Sequence, residues 1–192
     1  MSAVKILGLA GSTREGSYNR QLLNYALQKL EGIGATTETF DLKTHPMPLF
    51  DQDQERESGL PDNARALREA ILAADGVLLA CPEYNASITP LLKNALDWST
   101  RTDAKTGQGN VLDRKVIALI SASAGPLGGI RGLYAVRQTL LNSNALILGE
   151  QAGVAKIHEA FNDEGNLIDE RTAGFLQGVL DRLVFVSGRL RP

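Results

Sequence analysis

The chain has one cysteine in 192 residues. That excludes a disulfide framework and agrees with a reducing cytoplasm. Basic runs are also missing: 20 Lys and Arg stand against 22 Asp and Glu, a formal net charge of −2. Nucleic acid is therefore not an expected partner, since neutralising its phosphates takes clustered cations. No apolar stretch approaches the roughly 18 residues that a membrane span needs. The start, Met1-Ser2-Ala3-Val4-Lys5, runs straight into an apolar segment without the layout of a secretory signal. His45 and His158 are too far apart to show metal-ligand spacing. There is no Gly-x-Ser-x-Gly elbow, no nucleophile–base pair, no Gly-x-Gly-x-x-Gly fingerprint, no internal repeat and no low-complexity segment. What remains is 43% hydrophobic and 22% charged, an ordinary globular composition over residues 1–192, read as one domain.

Short apolar runs alternate with amphipathic ones. Val4–Ala10, Thr36–Leu42, Gly76–Cys81, Lys115–Ser121 and a stretch within Ala145–Val154 read as strands. Leu22, Leu23, Ala26, Leu27 and Leu30 mark one face of a first helix. Leu60, Ala64, Leu67 and Ile71 mark a second, with Pro61 suited to its first turn. Thr89-Pro90 reads as an N-cap and first residue, ahead of inward-facing Leu91, Leu92, Ala95 and Leu96. Leu133, Val136 and Leu140 mark the next helix, and Phe175, Leu176, Val179, Leu180, Leu183 and Val184 a closing one. Five βα units predict an α/β fold with a parallel sheet covered on both faces. Three strands (ILGLA, VLLA, VIALI) are continuously apolar, as central strands must be, whereas ATTETFDL carries Thr, Glu and Asp and suits an edge. The implied strand order is 2-1-3-4-5, in which a ligand binds beyond the C-terminal ends of strands one and three.

Three unusual loops fall at that end. The first, GSTREGSYN, has Gly11-x4-Gly16 and opens a helix whose N-terminus attracts anions. A triphosphate loop would follow with Lys and Ser or Thr; here Ser17 and Tyr18 stand there. Ser12, Arg14, Ser17 and Asn19 instead give neutral donors around one guanidinium, which suits a single phosphate without a metal. In the second loop, Cys81 could suggest a phosphatase, but Ser87 stands where Cys-x5-Arg needs arginine, so Cys81 reads as a buried structural residue. Pro82 stiffens the exit from the sheet, Tyr84 offers a flat aromatic surface, and Glu83 and Asn85 offer polar edges, as a planar heterocycle would require. In the third loop, SASAGPLGGIRG, Gly125, Gly128 and Gly129 allow close approaches. Asp51, Asp53 and Glu55 alternate as in a calcium loop, but Arg56 occupies the glycine position, so DQDQERESG reads as a solvated acidic loop.

Together, GSTREGSYN, PEYNASITPLLKNALDW and SASAGPLGGIRGLYAVRQ resemble the NAD(P)H-dependent FMN reductase family, in particular its quinone, azo-dye and chromate reductase branch. The resemblance runs in order over nearly the whole chain. It implies a flavodoxin-like fold, bound FMN, NADPH or NADH as hydride donor, and a homodimer or homotetramer. It implies that Ser12, Arg14, Ser17 and Asn19 hold the FMN phosphate with Tyr18 beside them. Pro82, Glu83, Tyr84 and Asn85 would line the isoalloxazine ring, and Ser123, Gly125, Gly128 and Gly129 would close its other edge. Lys93-Asn94-Ala95-Leu96-Asp97-Trp98 matches a helix signature of mostly structural role.

On that reading the flavin does the redox chemistry, no side chain is an essential acid or base, and donor and acceptor share one face in ping-pong order. Small quinones, azo compounds or free flavin are the expected acceptors. An electron carrier of the flavodoxin type is the alternative, and the weak net charge speaks against it. No acidic residue for a ribose hydroxyl and no arginine for a 2′-phosphate is assignable from the sequence. His45-Pro-Met-Pro-Leu-Phe-Asp is apolar at its centre, and the resemblance implies that this region helps build a dimer around the flavin, so Leu49 and Phe50 are expected at a subunit contact.

Overall fold

The computed structural model describes residues 2–191. Its main sheet holds β1 (Lys5–Ala10), β2 (Thr36–Phe40), β3 (Gly76–Ala80), β6 (Val116–Ala122) and β7 (Leu146–Val154). A hairpin of β4 (Glu83–Tyr84) and β5 (Ser87–Ile88) stands apart from it. The helices are α1 (Tyr18–Gly32), α2 (Gln52–Ser58), α3 (Asp62–Ala73), α4 (Pro90–Ser99), α5 (Ile130–Asn142) and α6 (Glu170–Arg189), with a 3-10 turn at Ile157–Glu159. The sheet order is β2-β1-β3-β6-β7, all pairs parallel, which is the expected 2-1-3-4-5 arrangement of the flavodoxin-like fold.

Alternation along each central strand divides the core into two layers. Ile6, Leu78, Ala118 and Ile120 face α1 and α6, while Leu7, Leu9, Val77, Leu79, Ile117 and Leu119 face α3, α4 and α5. β3 and β6 are buried at every position, as strands covered on both faces must be. β2 is mostly exposed and forms an edge. β7 forms the other edge and slips register, with Ile117 opposite Ile147 but Leu119 opposite Gln151. Arg137 covers the slip: its Nη2 donates to the Leu148 carbonyl at 2.8 Å and to Gln151 Oε1 at 3.0 Å.

Two local expectations need correction. Residues 52–58 form a short exposed helix, with the Asp51 carboxylate accepting from the Asp53 and Gln54 amides, rather than a loop. Pro61 precedes α3 in extended conformation, and helical geometry begins at Asp62. Phe175 lies on α6 as expected but is 63% exposed, because the inward stripe runs through its neighbour Leu176. Thr89 caps α4 ahead of Pro90 as expected, its Oγ1 accepting from the Leu92 amide at 3.3 Å.

Candidate functional site

The loops after β1, β3 and β6 meet at one end of the sheet, and three pairs of residues tie them to one another. Thr89 Oγ1, besides capping α4, donates to the Gly11 carbonyl at 2.9 Å and joins the second loop to the first. Asn19 Nδ2 donates to the Ala122 carbonyl at 2.9 Å, and its Oδ1 accepts from the Ala122 amide at 3.0 Å, joining the first loop to the third. Glu83 Oε2 accepts from the Gly132 amide at 3.0 Å while its Oε1 pairs with Arg131, joining the second loop to the start of α5. The site is a closed triangle of hydrogen bonds.

The first loop ends in Ser17, the N-cap of α1, whose Oγ accepts from the Arg20 amide at 3.4 Å. The amides of Tyr18 and Asn19 at this helix start have no intrahelical acceptor and carry the positive end of the helix dipole. Ser12 Oγ accepts from the Arg14 amide at 3.3 Å. Gly16 turns with φ +64, and a Cβ there would meet nothing within 4 Å, so the turn faces open space. The Arg14 guanidinium is exposed, donates to the Gly16 carbonyl at 2.9 Å, and lies 5.4 Å from the Tyr18 ring centroid. Two hydroxyls, free amides and one guanidinium form a donor set that fits a phosphate monoester. Among the described residues, no group of three or more His, Cys, Asp and Glu could hold a metal ion. Asn19 differs from the others: it is 4% exposed and its amide is engaged on Ala122, so its place in the structure is that of a brace.

The second loop is the β4–β5 hairpin, turning through Asn85 (φ +50) and Ala86 (φ +63). Tyr84 is 56% exposed on it, Asn85 is exposed and Pro82 is buried beneath. Glu83 does not present its carboxylate to the opening. Burial raises its pKa, but the bonds from Arg131 and the Gly132 amide outweigh this and hold it below the usual carboxylate range. Cys81 is fully buried, and burial pushes its thiol pKa far above the ordinary value.

The third loop is compact. Ser123 donates its amide to the Val154 carbonyl at 3.1 Å, and its Oγ accepts from the Gly125 amide at 3.1 Å. Gly128 is buried with φ +59, and a Cβ there would sit 2.7 Å from the Gly153 carbonyl carbon, so its glycine is required by packing on β7. Gly129, at φ +82, caps α5. Leu127 is left 53% exposed at the loop crest.

The KNALDW helix signature holds the segment after β2. Asn94 Oδ1 accepts from the Phe50 amide at 2.8 Å, and both Asn94 Nδ2 and Trp98 Nε1 donate to the Pro48 carbonyl at 2.9 Å. Phe50 packs edge-on against Trp98, with ring centroids 5.0 Å apart, and Leu49 is left 76% exposed. Arg131 and Thr89 were not among the site residues expected from sequence. Their contacts lie 48 and 78 positions away, and no local pattern signals them.

Residues 4–159 match the family described as NADPH-dependent FMN reductase. An NAD(P)H-dependent FMN reductase of Pseudomonas aeruginosa is 35% identical, covering 98% of this chain and 97% of its own. An NAD(P)H:quinone oxidoreductase of Solanum tuberosum is 36% identical, covering 98% and 95%. Among solved structures, the flavoenzyme NAD(P)H:(acceptor) oxidoreductase FerB of Paracoccus denitrificans superposes with a TM-score of 0.79 at 30% identity, over 97% of this chain and 98% of its own.

Proposed function

The chain belongs to the NADPH-dependent FMN reductase family, and on that footing we propose that it is an FMN-dependent oxidoreductase that takes hydride from NADPH or NADH. Its acceptors are quinones, azo compounds, free flavin or similar small molecules. The observation that carries this reading is the phosphate-sized donor set at the start of α1, braced against a hairpin that presents an exposed tyrosine.

Ser12, Ser17, Arg14 and the amides of Tyr18 and Asn19 would hold the FMN phosphate. Pro82, Tyr84, Asn85 and the backbone of Glu83 would line the ring, with Ser123, Gly125, Gly128 and Gly129 at its other edge. When bound, FMN supplies the hydride chemistry, and the protein supplies position and electrostatics. We assign no side chain as an essential acid or base. Arg14 and the positive end of the α1 dipole would balance the phosphate charge, and Ser17 would hydrogen-bond it. The triangle of Thr89, Asn19 and Glu83 keeps the three loops from drifting apart between turnovers.

One opening serves both substrates, so the donor leaves before the acceptor enters. Anaerobic NADPH or NADH should bleach the yellow protein completely, and a quinone should restore the colour. Initial rates should give parallel double-reciprocal lines. A colourless protein that takes up no FMN would overturn the reading. Intersecting lines with a trapped ternary complex would overturn the shared opening. A carrier protein would hold flavin but show no bleaching by either nucleotide.

We also propose a homodimer or homotetramer in the cytoplasm, with Leu49 at a subunit contact. Asn94 and Trp98 fix the backbone on either side of this leucine, which therefore points outward without freedom to fold back. No helix among the described residues is long and apolar enough to cross a membrane.

A further inference from the structure

Leu127 to Ile130 make the tight turn that leads from the third loop into α5. The Ile130 amide donates to the Leu127 carbonyl at 3.1 Å, and the central residues are Gly128 (φ +59) and Gly129 (φ +82). The positive φ at Gly129 makes the turn type I′. Type II′ differs from it by a half-turn of the central peptide, and a Gly-Gly pair tolerates both. The two glycines alone therefore leave the direction of this peptide open, and Ser121 decides it. The buried Ser121 hydroxyl donates to the Gly128 carbonyl and holds that oxygen inward, against the end of β6. Gly153 leaves the space, since a Cβ there would sit 2.9 Å from the Gly128 oxygen.

In a trans peptide the carbonyl and the following amide point in opposite directions. With the Gly128 oxygen turned in, the Gly129 N–H is turned out, away from Ser121. That amide has no acceptor among the described residues, although Gly129 is buried. Buried amides without a partner are rare, and such a group marks a place where a ligand or a water belongs. The first turn of α5 beyond it is already taken. Glu83 Oε2 accepts from the Gly132 amide at 3.0 Å, and Glu83 Oε1 pairs with Arg131. The Gly129 amide is thus a donor left over for a ligand, and Ser121 sets its direction.

We propose that Ser121 is a positioning residue for the flavin: it keeps the Gly129 N–H turned outward as a fixed donor to the edge of the FMN ring. The inference rests on the flavin site proposed above. Reduction by hydride adds two electrons and a proton to the ring and makes its polar edge a stronger acceptor. A fixed N–H therefore holds reduced FMN more tightly than oxidised FMN, as a bond to a charged acceptor is stronger than one to a neutral acceptor. A carbonyl in the same place would do the reverse. Loss of the Ser121 hydroxyl favours that reversal, because a Gly128 carbonyl turned inward would then be buried without a partner. Ser121 in this way sets how readily the bound flavin accepts electrons, without touching it.

The first test uses wild-type protein labelled with nitrogen-15 and titrated with FMN, riboflavin and inorganic phosphate. The Gly129 amide resonance should move with both flavins and stay still with phosphate alone. If the Tyr18 and Asn19 amides respond to FMN and Gly129 does not, this inference falls and the flavin site stands. If no amide of the first loop responds to FMN, the flavin site falls first. The second test measures the midpoint potential of FMN bound to Ser121→Ala. Reduced FMN should lose about tenfold more affinity than oxidised FMN, which lowers the two-electron midpoint by about 30 mV. Ser121→Cys keeps the bulk but is a weak donor, so it should resemble Ser121→Ala. An Ala variant with looser FMN but the wild-type midpoint would overturn the proposal and leave Ser121 a packing residue. A Cys variant with the wild-type midpoint would also overturn it. Should neither variant take up FMN, the wild-type Gly129 resonance decides alone.

Discussion

Asn19 and Ala122 exchange two hydrogen bonds across 103 positions of sequence, at 2.9 and 3.0 Å, in a buried setting. The pair locks the start of α1 to the end of β6, and therefore the proposed phosphate side of the site to its far edge. Asn19→Ala leaves the buried amide and carbonyl of Ala122 without these partners. It should cost about 2–4 kcal/mol by denaturant unfolding, on the ordinary penalty for buried unsatisfied groups. FMN and riboflavin should be weakened alike, because what is lost is the spacing of the loops. A loss confined to FMN would return Asn19 to the phosphate itself.

Arg14 should behave in the opposite way. Its guanidinium is exposed and bonds only one carbonyl, so little stability depends on it. If it meets the phosphate, Arg14→Ala removes a contact of about 1.5–3 kcal/mol. FMN affinity should fall roughly 10- to 100-fold, with riboflavin, which lacks the phosphate, nearly unchanged. Fluorescence titration of apoprotein with the two flavins measures the difference. Equal losses would remove Arg14 from the phosphate site.

The Glu83 carboxylate has a pH signature. Its pKa is below the ordinary value in the folded protein, because the bonds from Arg131 and Gly132 outweigh the opposing effect of burial. Stability from a depressed carboxyl is fully present above its unfolded value, about 4.3, and disappears as pH falls through the folded value. Glu83→Gln should therefore be less stable than wild type by about 1–2 kcal/mol at pH 7, discounted for the exposure of Arg131. The difference should begin to shrink below about pH 4.3 and close as pH falls through the folded value. A difference that persists unchanged into acid would mean the charge is not what holds the hairpin to α5.

Leu49 tests the assembly. Leu49→Asp should leave the fold unchanged, since the residue is 76% exposed. It should shift the protein to monomer in sedimentation at micromolar concentration, where wild type should show none. A wild type that is monomeric and saturated with FMN would remove the subunit contact.

The sheet was legible because its strands carry their own labels. The unbroken apolar run of Val77 to Ala80 can only be a strand covered on both faces, and the mixed run of Thr36 to Phe40 only an edge. Local pattern ended where burial did. α2 buries no residue, so it offers no apolar period to detect. The hairpin strands are two residues long, and the turn uses Asn85-Ala86 where a glycine would have advertised it. Phe175 and Leu176 are adjacent on one helix, and only one of them can face the sheet.

The chemistry of the three loops was legible from residue types, but the division of labour inside them was not. Glu83 and Asn19 look like ligand contacts because they are polar and sit in the right loops. Their partners lie 49 and 103 positions away, and only the folded chain shows that both side chains brace the site. Gly128 likewise looks like room for a ligand, yet the atom that excludes a side chain there belongs to Gly153.

The depth of Cys81 bears on survival under the proposed substrates. Quinones are electrophiles that arylate accessible thiolates, and a reductase meets them at every turnover. The chain's single thiol lies at 0% exposure beneath the second loop, donates toward the Leu79 carbonyl at 3.5 Å, and is kept protonated by burial. A protonated thiol without solvent access is neither nucleophilic nor reachable. The native protein should accordingly keep one titratable thiol after prolonged exposure to excess benzoquinone and lose it only on unfolding. A quinone that entered the proposed site would find no sulfur to arylate.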